Sequence, residues 1–241
     1  MIEPGDRVEL APGIVLDDGA VVDVVRGASL RANETALLML AHANGITVAE
    51  LGDVLAHAGA HDGVRDALTF CAQLNRELLV NVRVGRSTLL QRRLAAARFG
   101  IFLRAPLRRV DARSLPGVLR GLAPVGVALA LLTLPLAILA GAWTVALAAG
   151  GGVVLHELAH AVALQGVPRA LVLDGLRPSV LHPRLSAART MLVAASGPLA
   201  PSLAGLGLAA FARSPACAPL AAHALGLTVL APDGRNACGL S

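Results

Sequence analysis

Not one lysine occurs in the chain; all 21 basic side chains are arginine, a usage that a GC-rich genome produces without any functional cause. Acids are missing almost as completely from the second half, where only Glu157, Asp174 and Asp233 follow Arg120. Between Gly121 and Leu155 there are 35 consecutive residues with no charge of either sign. That run exceeds the ~20 apolar residues a helix needs to cross a bilayer, so an ordinary soluble domain is a poor description of this half. The three cysteines (Cys71, Cys217 and Cys238) are far apart and show no C-x-x-C spacing, so they read as reduced fillers. The N-terminus is acidic and lacks an apolar h-region. No cleaved signal peptide is therefore expected, and the first membrane span is expected to do the targeting.

What is present is hydrophobicity and a sharply divided charge map. The 241 residues are 55% hydrophobic, with a mean hydropathy of +0.67. Residues 1–82 carry 12 acids against 5 arginines, a net −7. Residues 83–120 carry 10 arginines and one acid, Asp111, a net +9. The overall +5 thus conceals three parts: an acidic domain over 1–82, a basic connector over 83–114 and a membrane domain over 115–241. A basic run can bind nucleic acid, but beside a hydrophobic span it more often marks the cytoplasmic face of a bilayer. The connector also has Leu89, Leu90, Leu94 and Phe99–Leu103 as an apolar part, as expected of an amphipathic segment lying on that leaflet.

The chemistry is concentrated in His156-Glu157-Leu158-Ala159-His160. Residues four apart on a helix are offset by about 40°, so both imidazoles project from one face and can share a metal ion. Glu157 lies about 100° round, off the ligand face but able to reach a water molecule beside the ion. Two neutral nitrogens, an activated water and a carboxylate to take its proton are what a zinc hydrolase needs. Buried in a membrane-length apolar helix, such residues are costly unless they have a function. A catalytic zinc needs a third protein ligand, and the residues leave four candidates: Asp174, Asp233, His182 and His223.

Hydrophobic runs predict spans over Leu115–Leu139, about Thr144–Gln165, Thr190–Ala212 and a short one over Leu220–Leu230, an all-α polytopic membrane domain of about four helices. Ala140-Gly141-Ala142 is the expected first turn, and Gly150-Gly151-Gly152 is expected to allow close helix packing. The loop over 167–189 holds Arg169, Arg177, Arg184 and Arg189, with a short hairpin expected within it. Arginine bias places the N-terminal domain and this loop in the cytoplasm of a multi-pass cell-membrane protein. His156 and His160 then fall in the inner half of the second span, and Asp233 at the end of the fourth can come level with them.

The N-terminal 82 residues read as an α+β, winged-helix-like domain. Val8–Leu10, Ile14–Leu16 and Ala20–Val25 form an expected antiparallel meander. Asn33, the capping box Thr47-Val48-Ala49-Glu50, and Asp62 each open a helix, and Leu78–Val82 closes as a strand. A net charge of −7 makes this a poor phosphate binder, so no nucleic acid partner is expected. The order of strands, then Leu30–Ala36, then Gly45–Leu51, then a helix running into Leu78-Leu79, resembles the PqqD-like family over roughly residues 5–82. That resemblance implies recognition of the leader of a ribosomally made, modified peptide, added as a strand to the small sheet.

Residues 117–241 resemble the site-2 protease family of intramembrane zinc metalloproteases. Three motifs match in order: His156–His160, Gly197-Pro198-Leu199-Ala200, and Pro232-Asp233-Gly234. The resemblance implies Zn2+ on His156, His160 and Asp233, with Glu157 as general base. It departs from the family pattern at two positions associated with holding the substrate strand. Pro201-Ser202 stands where an Asn often follows the Gly-Pro element, and only Thr228 stands ahead of the Pro-Asp-Gly region. The implied activity is hydrolysis of a peptide bond in a precursor peptide, during maturation or export. The same chemistry would serve to clip a membrane-bound regulator, and a non-catalytic peptide-binding subunit is the reading from another class.

Overall fold

In a computed structural model the described residues are 2–84, 86–97, 105–228, 231 and 233, the side chains of 86–88 excepted. The chain forms two compact units, Met1–Val110 with Val172–Gly175, and Asp111–Leu171 with Leu176–Ser241.

The first unit combines short strands with helices. Strands β1 (Arg7–Leu10), β2 (Ile14–Asp17), β3 (Ala20–Asp23) and β4 (Ala28–Arg31) precede helix α1 (Glu34–His42). Then come β5 (Asn44–Thr47), α2 (Val48–His57), α3 (Gly63–Arg76), β6 (Val80–Arg83) and α4 (Arg86–Ala97). All three expected caps are in place. The Asn33 side chain accepts from Ala36 N–H, Thr47 and Glu50 form the reciprocal capping box, and Asp62 accepts from Arg65 N–H. Val8, Met39, Leu40, Val48, Leu51, Leu55, Ala67 and Cys71 make the core, and burial pushes the Cys71 thiol up to about 11, as suits an inert filler.

The strand pairing differs from the expected meander. β1 leaves β2 and β3 and pairs antiparallel with β5 and β6, while β2, β3 and β4 form a separate antiparallel sheet. Pro12-Gly13, with Gly13 at φ 82, directs the chain out of the first sheet. β4 and β5 escaped the sequence because Ala-Ser-Leu-Arg and Asn-Gly-Ile-Thr lack the β-branched apolar runs that mark β2 and β3, and Asn44-Gly45 reads as a helix stop.

Two arginines of the basic connector are structural. Arg92 of α4 bridges Glu3 and buried Asp6 at 2.7 and 2.8 Å. Arg109 is itself buried and grips Asp23 through both Nη atoms, at 2.8 and 2.7 Å. Asp23 Oδ1 also accepts the N–H of Val25 and Arg26, fixing the β3–β4 turn. The Asn81 side chain donates to Arg109 C=O and accepts from its N–H, and Asn75 makes the same pair with Leu107. Both side-chain amides thus stand in for a neighbouring strand along residues 107–109.

In the second unit, α5 (Leu115–Leu139), α6 (Thr144–Ala163) and α7 (Ala187–Ala212) are long and apolar enough to cross a membrane. Leu132, Leu136, Leu139, Leu192, Leu203 and Phe211 are exposed on them, as lipid contact requires. Gly141 (φ 65) makes the expected turn between α5 and α6. α5 and α6 meet at Gly126 and Gly150: a Cβ on Gly150 would overlap the Gly126 carbonyl, and one on Gly126 would run into the Val154 side chain. Buried Arg169 donates to the carbonyls of Ala112, Arg113 and Leu164, tying the start of α5 to the end of α6. Strand β7 (Arg108–Asp111) precedes α5, and the expected loop hairpin forms as β8 (Ala170–Asp174) and β9 (Arg177–Leu181), turning at Gly175. The fourth apolar stretch is short: α8 (Cys217–Ala221) continues as a 3₁₀ helix over Ala222–Leu227. At about 1.5 Å per residue in α8 and about 2.0 Å in the 3₁₀ helix these reach roughly 20 Å, about two-thirds the thickness of a bilayer core. Residues 229 and 230 of that stretch lie outside the described ones.

Candidate metal centre

Helix α6 presents His156 and His160 side by side, ring centroids 4.8 Å apart and planes nearly perpendicular. Their Nε2 atoms converge at 3.1 Å. Asp233 Oδ2 completes the group, 3.2 Å from His156 Nε2 and 3.5 Å from His160 Nε2. A tetrahedral ion with bonds of about 2.0–2.1 Å separates its ligand atoms by about 3.3–3.4 Å. The three atoms therefore form one face of a tetrahedron of the right size for a metal ion with nitrogen and oxygen ligands.

The His160 ring is fixed from behind. Its Nδ1–H donates to the carbonyl of Val193 on α7 at 2.7 Å, which leaves Nε2 as the lone-pair nitrogen. Helix α7 comes this close because residue 197 has no side chain. A Cβ on Gly197 would overlap the His160 ring and lie 2.8 Å from His156 Nε2. Pro198 then has no N–H to offer the Ala194 carbonyl, and loosens the helix beside the histidines.

Glu157 is 8% exposed, and its Oε2 has no hydrogen-bond partner among the described residues. An orphaned carboxylate oxygen in a buried place is costly, and a water or ion in the adjoining space would relieve it. That space is a cavity of about 370 Å³ bounded by Glu157, His160, Asp233, His182 and the Pro178–Val180 stretch of β9. Glu157 also lies within 4.8 Å of both histidines, but Asp233 is the closer third vertex.

The four candidates for the third position thus separate. Asp233 joins the histidine nitrogens. His182 lines the cavity with its Nδ1–H given to the Pro183 carbonyl at 2.7 Å. His223, on the 3₁₀ helix, meets His156 on the far side of the ring, Nδ1 to Nδ1 at 3.3 Å. Asp174 belongs to the first unit, where it borders a cavity with Asn75, Arg76 and Leu107. The residues at the two departures from the family pattern are committed elsewhere: Ser202 Oγ donates to the Pro198 carbonyl and Thr228 Oγ1 to that of Leu225.

Comparison with family models, curated proteins and solved structures finds no match for this chain. The site must be argued on its own geometry. Sequence reasoning found every vertex of the triangle, but not the second layer around it. The Gly197 contact, the Val193 carbonyl and the His223 contact were invisible, because each depends on which helix faces close together.

Proposed function

We propose that the chain is a membrane-embedded zinc metalloprotease that hydrolyses a peptide bond of a small precursor peptide, its leader held by the N-terminal unit. The observation that carries this reading is the triangle of His156, His160 and Asp233 with unpartnered Glu157 beside it. His156, His160 and Asp233 would hold the ion, and N and O donors beside a cavity suit catalytic zinc better than a closed structural site. When bound, zinc supplies Lewis acidity, which activates a water molecule near neutral pH and polarises the scissile carbonyl. Glu157 accepts a proton from that water as its oxygen bonds to the carbonyl carbon. The same proton then passes to the amide nitrogen as the C–N bond breaks, leaving a carboxylate and an amine.

Peptide carbonyls in a helix are hidden in hydrogen bonds, so the substrate must be extended where it is cut. Pro178–Val180 of β9 lines the cavity and offers strand backbone to such a segment. Helices α1–α3 with the two small sheets support the winged-helix, PqqD-like reading of residues 1–82, with β4 as an exposed strand for a leader peptide to join. The arginine bias supports a cytoplasmic position for that unit and for the loop carrying β8 and β9.

The test is co-expression with the short open reading frame beside its gene, reading cleavage by mass spectrometry. The wild type should yield one new peptide terminus, and Glu157→Gln should retain zinc while losing about 10²–10⁴-fold in rate. Cleavage at wild-type rate in Glu157→Gln would overturn the assignment of the base, and no cleavage by wild type of any co-expressed peptide would remove the precursor reading.

A further inference from the structure

We propose that His223 is the positioning residue of the metal centre: as hydrogen-bond acceptor for His156 Nδ1–H, it holds that ring in the orientation and tautomer that aim Nε2 at the ligand triangle. The inference rests on the proposed zinc site and extends it to a residue outside the H-E-x-x-H motif.

The two histidines of α6 differ in what stands behind them. His160 has the Val193 carbonyl, a fixed main-chain acceptor. Among the described residues His156 has no main-chain acceptor at Nδ1; its partner there is His223 Nδ1, at 3.3 Å, with ring planes tilted by 43°. Because His156 Nε2 faces Asp233 and His160, its proton belongs on Nδ1. A proton on that nitrogen requires His223 Nδ1 to be the acceptor, which places the His223 proton on its own Nε2. The contact is thus directional. It also shows that His223 is not itself a vertex, because it approaches His156 from the nitrogen opposite the triangle.

A second observation concerns the space that His223 occupies. His223 Nε2 lies 2.9 Å from where a Cβ on Gly152 would be, with Leu220 Cδ2 at 3.2 Å. Residue 152 is one turn ahead of His156 on the same helix, so α6 lacks a side chain where the His223 ring passes. The three consecutive glycines therefore divide their work. Gly150 admits α5, Gly151 faces open space, and Gly152 admits the ring that supports His156. Outer hydrogen bonds of this kind fix ligand orientation, and their loss commonly weakens metal affinity about 10–100-fold.

The experiment measures zinc affinity of the full chain in detergent by competition with a chromophoric chelator, together with the number of imidazole ligands seen by X-ray absorption. His223→Phe keeps the bulk and removes the acceptor; it should weaken zinc about 10–100-fold while two imidazoles remain bound at saturating metal. His223→Asn places an amide oxygen near the lost Nδ1 and should recover most of that affinity. Gly152→Ala keeps His223 but displaces its ring, and should reproduce the His223→Phe loss; this variant serves also if His223→Phe fails to fold. Unchanged affinity in His223→Phe, or His223→Asn as weak as His223→Phe, overturns the proposal. A wild-type count of three imidazoles falling to two in His223→Phe would make His223 a ligand and overturn it as well. The underlying zinc reading fails separately, through a wild type without zinc or a His156→Ala variant that keeps it.

Discussion

A methyl group on Gly197 would run into the imidazole of His160. Helix α7 therefore lies against the His156–His160 face of α6 at a distance that only glycine permits, and the Val193 carbonyl reaches His160 because of it. Gly197→Ala must either push α7 away, breaking the Val193 hydrogen bond, or occupy the space in front of the two Nε2 atoms. Both outcomes remove the ligand geometry. Zinc content should fall from about one per chain to well below half, since catalytic sites depend on three protein ligands. Elemental analysis of the purified variant decides this, and full zinc occupancy would refute the close approach.

Asp233 and His182 border the same cavity, but only the first closes the triangle. Asp233→Ala should lose most of its zinc. His182→Ala should keep it, because His182 Nδ1–H is bound to Pro183 and the triangle is complete without that ring. The reverse pattern would assign the third ligand to His182.

The buried ion pair of the first unit makes a prediction about stability. Burial disfavours the charged Asp23, but the Arg109 guanidinium, the Arg26 N–H and the nearby arginine charges outweigh it and hold the carboxyl below its usual range. A folded pKa below the unfolded one, near 3.9, means that the contribution is full above the unfolded value and is lost as pH falls through the folded one. Asp23→Ala leaves Arg109 charged and buried, and should cost about 3–5 kcal/mol. Limited proteolysis of the full chain should show the β3–β4 region opening near neutral pH in this variant, and only below about pH 4 in the wild type. Equal protease resistance of the two at pH 7 would refute the role of the pair.

What the sequence made legible follows from the range of each signal. Caps, the H-E-x-x-H spacing and the first three apolar spans are local, written within one helix, and reappear in the structure; the fourth span is present only as a short helix. Asp233 stood among four candidates by residue type, and only the resemblance to a protease family singled it out. Arg92 and Arg109 were not, because an arginine in a basic run looks solvated until Asp6 and Asp23 are found beside it. β4 and β5 are too polar and glycine-bearing to read as strands, and His223 offered no sign of which face of the second span its helix would meet.

Those two arginines shape the test of the N-terminal unit. A fragment ending near residue 85 would discard the partners of Asp6 and Asp23, so peptide binding is best measured on the whole chain in detergent or a lipid nanodisc. β4 is exposed along Ser29, Leu30 and Arg31, with backbone groups available to an added strand. The surplus of acids over residues 1–82 favours a basic or apolar peptide over a nucleic acid. Fluorescence anisotropy should therefore show the N-terminal part of the neighbouring precursor binding with little dependence on its individual side chains. A proline in the middle of that segment removes a ladder donor and should weaken binding roughly fivefold or more, the worth of about one hydrogen bond with its local distortion. Labelled duplex DNA should not bind. A steep fall of DNA affinity with salt, combined with indifference to the peptide proline, would reject leader recognition and identify the unit as a phosphate-backbone binder instead.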